Sequence, residues 1–472
     1  MIRFGTDGWR GIIGEDFNFT NIRVFAKVLA EFLYNRRGNA TSVIIGYDGR
    51  FLSEETATLI AKILIDKNIE VILSDQVVPT PTVSWTVRER KATLGIMITA
   101  SHNPSIYNGI KIKAEYGGPV IDDTFNRLIK LFKYDSKFDD KPSIIPKPRV
   151  ICHDILDDYK RYLISSFDWD KICRIKDRII IDSMGGAGRD ILYNILRNKK
   201  LDVLGLRIEA DTRFSDGLPE PIEKNLNLLG DNIRDNNTAI GIATDGDADR
   251  LGVMDRDGKF ITLHNIIALI LRYLVKERKN RGTFIKTATV CSLPSRVAER
   301  LKVPVKEVGV GFTHITKEFV YDNVVFGAEE SGGLGFGCHI PDRDGIFATL
   351  MLLEILGYYD VPLENLIRDL RSEYGESHYW REDLHFFQER REGYIDKLQR
   401  LEVDKIAGNS VINRLTYKTK SILSGLKYML SDDRWLMIRS SKTEPMFRFY
   451  AEGNSISEAK ELVREGKRLL SI

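Results

Sequence analysis

Apolar runs alternate with helically spaced apolar positions along the first part of the chain. Recurrence every three to four residues predicts helices, and short continuous runs predict strands. The predicted elements are helices over Ile22–Tyr34 and from Ser53, its expected N-cap, to about Asp66, and strands over Ser42–Tyr47, Glu70–Leu73 and Leu94–Ile98. Because strands that alternate with helices are typical of layered folds, this region is predicted to be an α/β domain with a largely parallel sheet.

The same alternation begins twice more after a polar, proline-bearing stretch at 137–148. The predicted elements are strands over Arg178–Asp182, Ala239–Ala243, Thr287–Val290 and Val324–Phe326 and a helix over His264–Val275. The last part differs, because strands at Trp435–Arg439 and Met446–Tyr450 precede an amphipathic helix over Ser457–Leu470. Domains are therefore predicted at 1–148, 149–256, 257–375 and 376–472.

The length of the chain supports a division into several domains. Its 472 residues exceed the roughly 250–300 residues at which a single hydrophobic core stops growing. The predicted fold class is α/β, with three successive α/β/α mixed-sheet domains of similar topology and a smaller C-terminal α+β domain around a central cleft. Three units of one kind suggest divergent duplication.

Composition narrows the possible partners. Lys and Arg total 70 and Asp and Glu total 67, so a net charge of +3 offers no basis for binding nucleic acid. Four widely spaced cysteines without a CxxC motif predict neither a disulfide framework nor a zinc site. No apolar stretch reaches the length of a membrane span or of a signal core. We expect a cytoplasmic protein that contacts no membrane.

The turn Thr99–Pro104 places Ser101 at the carboxyl end of the strand Leu94–Ile98. Open α/β sheets carry their chemistry at that end of the strands. The alternative readings are an ordinary helix N-cap for Ser101 and a turn-filling role for His102. Lys111, ten residues after Ser101, is either a functional side chain or a solvated strand lysine.

Three carboxylates follow the strand Ala239–Ala243 at alternate positions, Asp245, Asp247 and Asp249. At a strand end this spacing directs them to one side, and such crowding is costly unless a cation neutralises it. Hard oxygen ligands suit Mg²⁺. A solvated acidic turn is the alternative. A calcium EF-hand loop is excluded, because Arg250 stands where that loop needs glycine.

Three further groups have both a functional and a plain interpretation. The segment Arg439–Pro445 offers a guanidinium, hydroxyls and backbone N–H groups, with Arg448 shortly after, and this set suits a phosphate as well as a surface hairpin. Glu329 and Ser331 suit sugar hydroxyls or a plain turn. Arg10 is either a phosphate-binding or a surface arginine.

Taken together, these motifs resemble those of the α-D-phosphohexomutase superfamily over essentially the whole chain. The T-A-S-H-N-P serine loop of that family stands at Thr99–Pro104, its D-G-D-x-D-R metal loop at Asp245–Arg250, its N-terminal F-G-T-x-G-x-R-G at Phe4–Gly11, and its R-x-S-x-T-x-P phosphate loop at Arg439–Pro445. Its G-E-x-S-G sugar loop matches at Glu329, Ser331 and Gly332, with Ala328 in place of the first glycine.

The resemblance implies a role for each matching side chain. Ser101 would carry a phosphoryl group and share one Mg²⁺ per chain with Asp245, Asp247 and Asp249. Catalytic roles fall to Arg10, His102, Lys111 and Arg250, where Lys111 is the candidate general acid/base if its pKa is lowered toward neutrality. Substrate-binding roles fall to Glu329, Ser331, Arg439, Ser441, Lys442, Thr443 and Arg448. Glucose 1,6-bisphosphate would be the intermediate and activator.

The expected reaction is therefore the interconversion of a hexose 1-phosphate and a hexose 6-phosphate. Glucose is favoured, because Glu329–Glu330–Ser331 is similar to phosphoglucomutases, whereas relatives that act on both glucose and mannose phosphates, or on glucosamine phosphate, usually carry histidine where Gly333 stands. Phosphomannomutase and phosphoglucosamine mutase are alternatives. A phosphoserine-dependent sugar phosphatase and a non-catalytic sugar-phosphate sensor are further ones. The expected partner is a small-molecule sugar phosphate, and the expected state is a monomer or homodimer.

Overall fold

The computed structural model describes residues 4–5, 7–34, 41–121, 150–236, 238–419, 422–440 and 446–470. Its strands form four main sheets, called the first to the fourth sheet in chain order, and one two-stranded ribbon. The predicted α/β class is confirmed. The stretch 137–148, predicted as a domain boundary, lies outside the described residues.

The first sheet has seven described strands, in the order Phe4–Gly5, Gly8–Ile12, Tyr107–Ala114, Leu94–Ile98, Ser42–Tyr47, Glu70–Ser74 and Val150–His153. Helices at Phe19–Tyr34, Ser53–Asp66 and Thr80–Glu89 accompany it. Residues from 149 onward were assigned to the second domain, whereas Val150–His153 pairs in parallel with Glu70–Ser74 at the edge of the first sheet.

The second sheet has five described strands, in the order Phe260–Ile261, Leu251–Met254, Thr238–Thr244, Arg178–Asp182 and Val203–Leu206. Its helices are Ile155–Ser165, Trp169–Ile172, Ile191–Asn198 and Asn227–Asp235, with a 3₁₀ turn at Glu223–Asn225. The third sheet runs Val305–Val308, Thr283–Thr287, Val324–Ala328 and Leu334–Phe336. Its helices are Leu263–Lys276, Ser292–Arg300, Phe312–Tyr321, Gly345–Tyr359 and Leu363–Tyr374.

One topological feature recurs in these three sheets and places the functional loops. In each sheet a strand in parallel pairing is followed by a short loop and then by an antiparallel neighbour. These loops are 99–106 in the first sheet, 245–250 in the second and 329–333 in the third. The serine, aspartate and sugar loops therefore occupy equivalent positions, which fits divergent duplication.

The fourth sheet is antiparallel throughout its described strands, in the order His378–His385, Met446–Gly453, Trp435–Ser440, Ile422–Met429 and Asn413–Thr419. The ribbon pairs Lys405–Ile406 with Asn409–Ser410. A 3₁₀ turn at Gln388–Arg390 leads into the helix Arg391–Arg400, and the helix Ile456–Leu470 packs on the sheet through Leu462 and Val463.

Two local predictions were wrong. Ser53 does not cap the helix; it is the first helical residue after Leu52, whose φ is 64°, and its hydroxyl donates to Asp48 Oδ1 at 2.8 Å. The strand predicted at Thr287–Val290 is observed at Thr283–Thr287, because the chain turns there and Val290 N donates back to Thr287 O at 3.0 Å.

The largest apolar cluster joins the second and third sheets to part of the first. The helix Gly345–Tyr359 lies in it with nearly every side chain buried. Over the described part of the chain, no single helix has the length and apolar character of a membrane span; Gly345–Tyr359 and Leu363–Tyr374 reach that threshold only as a pair bent by 83°.

Candidate active site

The serine loop holds Ser101 in a conformation that is uncommon for serine. Its φ is 55°, in the left-handed region, and the residue is fully buried. Arg50 holds the loop through two hydrogen bonds, because its Nη2 donates to the carbonyl oxygens of Ser101 at 2.6 Å and Asn103 at 2.7 Å. Thr99 Oγ1 accepts from Ser101 N at 2.9 Å. Several independent hydrogen bonds therefore maintain a strained serine, as expected of a functional position.

The serine and aspartate loops meet directly. Ser101 Oγ donates to Asp245 Oδ2 at 3.0 Å, and His102 Nδ1 lies 3.4 Å from the same hydroxyl. The approach needs glycine at position 246, because a Cβ there would lie 2.3 Å from Ser101 O. Residues 144 positions apart in the chain thus form one contact between two sheets.

The aspartate triad offers a set of oxygens for a cation. One carboxylate oxygen from each of Asp245, Asp247 and Asp249 lies within 4.8 Å of the others, and all three residues are fully buried. Asp245 Oδ1 is occupied by Asp249 N at 2.9 Å and Arg250 N at 3.2 Å. Oδ1 of Asp247 and Oδ1 of Asp249 are buried and have no hydrogen-bond partner within the described ranges. Buried oxygens of this kind fit a hard divalent cation such as Mg²⁺.

Lys111 supplies positive charge to this triad. Its Nζ lies 2.7 Å from Asp247 Oδ2, 2.8 Å from Asp249 Oδ2 and 3.3 Å from Asp7 Oδ2. Burial alone would lower the pKa of Lys111, but the three carboxylates outweigh it and raise that pKa. The sequence-based hypothesis required a lowered pKa for a general acid/base. The structure shifts it the opposite way, because the carboxylates stabilise the ammonium form.

The three aspartates differ in their tendency to ionise. Burial, followed by the charges of Asp249 and Asp247, raises the pKa of Asp245 well above its ordinary value. Burial opposes ionisation of Asp247 as well, but Lys111 holds its pKa below the ordinary value. Against the same burial, Arg343 brings the pKa of Asp249 to about 2. Asp245 is thus the least compensated charge, and it is the one that contacts Ser101.

Arg343 belongs to the site although no sequence motif pointed to it. Its Nη2 donates to Asp7 Oδ2 at 2.6 Å and Asp249 Oδ2 at 2.8 Å, and its Nη1 donates to Glu329 Oε2 at 3.5 Å. One guanidinium therefore joins the N-terminal segment, the aspartate loop and the sugar loop. The available signal was the charged run Asp342–Arg343–Asp344 immediately before the most apolar helix of the chain.

The sugar loop adjoins the aspartate loop. Leu251 N donates to Gly332 O at 3.2 Å, and Arg250 forms an isolated β-bridge with Gly333. Glu329 is buried, and burial raises its pKa although Arg343 opposes the shift. Ser331, partly exposed in the same loop, is the neighbouring hydroxyl that the sequence predicted. The loop thus presents a carboxylate and a hydroxyl beside the triad.

Two more arginines border the serine loop. Arg10 Nη1 donates to Asn103 Oδ1 at 2.6 Å. Arg250 Nε lies 3.7 Å from Asp249 Oδ1 and 3.9 Å from Asp245 Oδ2. Burial, together with the charges of Arg250 and Arg10, lowers the pKa of His102 well below its ordinary value, so this imidazole is neutral near pH 7.

The predicted phosphate loop is only partly described. Ser441, Lys442 and Thr443 lie outside the described residues, whereas Arg439 and Arg448 face each other across adjacent strands of the fourth sheet. Arg448 Nε lies 3.5 Å from Asp383 Oδ2. No hydrogen bond or ion pair between described residues joins Arg439 or Arg448 to the Ser101 cluster, so their part in the site stays a prediction.

Most of the chain matches three family models. Residues 1–138 match the phosphoglucomutase/phosphomannomutase α/β/α domain I, 157–258 match domain II and 263–374 match domain III of the same family.

Individual relatives match over nearly their whole length. The chain is 27% identical over 467 residues to a phosphoglucomutase/phosphomannomutase of Thermococcus kodakarensis, covering 99% of this chain and 98% of the relative. It is 27% identical over 446 residues to a phosphoglucosamine mutase of Methanocaldococcus jannaschii, covering 91% of each. A crystal structure from Thermus thermophilus, described as a phosphomannomutase, superposes with a TM-score of 0.84 at 30% identity and covers 100% of this chain and 99% of that one.

Proposed function

The chain belongs to the phosphoglucomutase/phosphomannomutase family within the α-D-phosphohexomutase superfamily, whose members are isomerases that transfer a phosphoryl group intramolecularly, and we propose that it interconverts glucose 1-phosphate and glucose 6-phosphate. The contact between Ser101 Oγ and Asp245 Oδ2 carries the mechanistic part of this proposal. It sets one hydroxyl against a triad suited to a divalent cation. Ser101 is therefore proposed as the phosphoryl carrier.

The transfer is proposed in two mirrored halves. The bond between phosphorus and Ser101 Oγ breaks as a bond forms to the free hydroxyl of the sugar phosphate, which gives glucose 1,6-bisphosphate. The bisphosphate then reorients in the site. The bond between its other phosphorus and the sugar oxygen breaks as a new bond forms from that phosphorus to Ser101 Oγ. Arg10 and Arg250, which border the serine loop, stabilise the negative charge that develops.

A proton must leave the accepting hydroxyl at each transfer. The neutral imidazole of His102, whose Nδ1 lies 3.4 Å from Ser101 Oγ, is the proposed proton acceptor. Lys111 keeps its ammonium against three carboxylates, so its proposed part is to balance charge when the phosphoryl group is present. General-base work by Lys111 would first require those carboxylates to be neutralised.

A metal fits this arrangement. Asp245, Asp247 and Asp249 would hold one Mg²⁺ together with an oxygen of phosphorylated Ser101, and the bound ion would spread the charge of the transferring group. Lys111 remains beside the Oδ2 atoms of Asp247 and Asp249, while their Oδ1 atoms have no hydrogen-bond partner within the described ranges.

The preference for glucose rests on the sugar loop. Glu329 and Ser331 are proposed to bind ring hydroxyls, while Gly333 leaves no side chain where relatives that act on both glucose and mannose phosphates, or on glucosamine phosphate, usually carry histidine. Arg343 fills that space. The remaining phosphate is assigned to Arg439 and Arg448, with Ser441, Lys442 and Thr443 of the adjoining loop. A cytoplasmic monomer or homodimer without nucleic-acid contacts stays a prediction.

The test is a parallel set of initial rates. Glucose, mannose and glucosamine 1-phosphates are compared with Mg²⁺ and catalytic bisphosphate present, while inorganic phosphate is measured in the same samples. The highest kcat/KM for glucose 1-phosphate, without net phosphate release, supports the proposal. A higher value for mannose or glucosamine reassigns the substrate. Stoichiometric phosphate release indicates a phosphatase, and neither activity indicates a sensor.

A further inference from the structure

The second glutamate of the sugar loop is engaged by the protein. Glu330 stands between Glu329 and Ser331, and its Oε2 accepts a hydrogen bond from Thr289 Oγ1. Thr289 is fully buried. It belongs to the segment Thr287–Ser292, called the connector, which leads from the strand Thr283–Thr287 into the next helix. Glu330 therefore joins the sugar loop to the connector.

The connector is bound on its other side to the fourth sheet. Lys427 Nζ donates to Ala288 O at 2.8 Å, one residue before Thr289. Glu452 accepts from Ser292 N at 2.8 Å and from Ser292 Oγ. Ala288 also packs among fully or nearly fully buried side chains of the fourth sheet: Trp435, Met437 and Tyr450. The residues bound to the fourth sheet thus flank the one bound to Glu330.

The same interface contains two phenols, partly buried Tyr379 and buried Tyr450, whose hydroxyl oxygens are themselves buried. The hydroxyls of Tyr379 and Tyr450 make no hydrogen bond with any described residue, and their ring centroids lie 6.5 Å apart. Buried hydroxyls of this kind destabilise the arrangement that contains them. Tyr379 also feels the charge of Glu330, which adds to burial in raising its pKa. A second arrangement of the interface that gives these hydroxyls hydrogen-bond partners would therefore be favoured in free energy. An element that transmits a conformational change needs two such arrangements.

We propose that Glu330 is a positioning residue that transmits occupancy of the sugar loop through Thr289 and the connector to the fourth sheet. Sugar binding at Glu329 and Ser331 shifts Glu330 and Thr289. Ala288 and Ser292 follow as parts of the same short segment, and Lys427 and Glu452 pass the shift to the fourth sheet. This role rests on the proposed function and adds to it a route by which the sugar end of the substrate sets the position of the phosphate end.

Hydrogen–deuterium exchange on the full chain tests the route. Peptides from the sugar loop, 326–336, and from the fourth sheet, 425–438, are followed with and without glucose 6-phosphate and Mg²⁺. We expect protection of both peptides in the wild type. In Glu330→Ala we expect the sugar-loop protection to persist and the fourth-sheet protection to fall by at least half. In steady-state kinetics KM should rise by about an order of magnitude, more than kcat falls.

Three further variants separate coupling from general damage. Glu330→Gln keeps an acceptor for Thr289 and should restore wild-type protection. Thr289→Val removes the donor at similar volume, should reproduce the Glu330→Ala result and should add little to it in the double variant. Glu299→Ala, an exposed acid on the helix after the connector, should change nothing.

Two results would overturn the route. Full protection of the fourth-sheet peptide in Glu330→Ala shows that the coupling runs elsewhere. Wild-type behaviour of Thr289→Val beside an impaired Glu330→Ala shows that Glu330 acts on the sugar directly. A wild-type protein protected at neither peptide by glucose 6-phosphate and Mg²⁺ contradicts instead the proposed function on which the route rests.

Discussion

A Cβ built on Gly333 would lie 2.4 Å from Cδ of Arg343 and 3.1 Å from Glu329 Oε2. The glycine thus provides the space through which the arginine reaches Asp249 and Glu329. Arg343 cannot retreat easily, because its head group is held by Asp7 and Asp249. The position of Arg343 therefore depends on the absence of a side chain at position 333.

Gly333→Ala should displace Arg343 and lower kcat/KM by roughly ten- to a hundredfold, since overpacking a buried site costs about 1–3 kcal/mol. The measurement is the steady-state rate with glucose 1-phosphate beside the melting temperature. Gly393→Ala is the matched control, because its Cβ would meet no atom within 4 Å and alanine suits a helix better than glycine. Equal kcat/KM in both variants would contradict the role of Arg343.

Ser101→Ala should abolish most turnover and remove a phosphate from the intact mass. The reason is the loss of the carrier oxygen, while Arg50 still holds the loop through backbone carbonyls, so the melting temperature should change little. Ser105→Ala in the same loop is the control and should keep both phosphate and activity. Retained phosphate on the Ser101→Ala protein would identify another carrier.

Asp245→Asn should have opposite effects on stability and on metal response. The pKa of Asp245 is raised by burial and by the other two carboxylates, so removal of its charge should raise the melting temperature of the metal-free protein. In the wild type, Mg²⁺ at a hundred times its Kd should add about 2.7 kcal/mol, and this gain should be lost in the variant. The measurement is thermal unfolding with and without Mg²⁺ after chelation.

Asp257→Asn is the control for charge alone, because Asp257 is exposed and lies apart from the triad. It should leave the magnesium response unchanged. Equal stabilisation of wild type and Asp245→Asn by Mg²⁺ would place the metal elsewhere. Full activity of stripped wild-type protein in excess chelator would exclude a metal requirement altogether.

Arg439→Ala should lower kcat/KM by about one to two orders of magnitude, since a charged hydrogen bond is worth roughly 1.5–3 kcal/mol. The bisphosphate should escape more readily, so activity should depend more steeply on added glucose 1,6-bisphosphate. Arg400→Ala, an exposed arginine on the helix Arg391–Arg400, controls for net charge. If both variants behave like the wild type, the adjoining loop is a structural hairpin.

His264 should make the protein less stable in acid. Its Nδ1 accepts from Cys291 N at 3.3 Å, and burial, opposed by the charges of Glu330 and Glu452, lowers its pKa to about 4. The unfolded chain takes up this proton near pH 6.5, whereas the folded protein resists it. The free energy of unfolding should therefore fall as pH drops from about 6.5 to about 4, by roughly 3 kcal/mol.

Urea unfolding across that pH interval measures the effect. His264→Gln keeps an acceptor for Cys291 N and does not titrate, so its stability should depend less steeply on pH than that of the wild type. Parallel slopes for the two proteins would show that His264 is not the group responsible.

The sequence predicted those parts of the site whose chemistry is local. The serine turn and the triad each lie within a few residues, so their motifs could be recognised in the sequence, and their expected roles came from the family resemblance. The pKa of Lys111 could not be read in this way, because two of its three carboxylate partners, Asp247 and Asp249, lie 136 and 138 positions away. Arg343 was not identified from the sequence for the same reason. Its partners Asp7, Asp249 and Glu329 lie in three segments that meet only in the folded chain.

The fold followed a similar rule. Strands such as Ser42–Tyr47 and Leu94–Ile98 were predicted at their observed bounds, because they are continuous apolar runs. The strand observed at Thr283–Thr287 was predicted too far along the chain, at Thr287–Val290. The apolar turn after the strand contains Ala288, which is buried against the fourth sheet and not by strand pairing. The local pattern of apolar residues indicates that a segment is buried, but it does not indicate which neighbouring element covers that segment.

The ion pairs of Lys111 also bear on how the chain is made. A ribosome releases Lys111 long before Asp247 and Asp249, so the balancing ammonium is already present when the acidic loop emerges. The second sheet with its loop, expressed alone, would lack both that ammonium and the neighbouring residues Ser101 and Arg343 that cover the three carboxylates, so the paired and buried state of the triad exists only in the assembled chain. Burial of the triad and assembly of the candidate active site are therefore a single event.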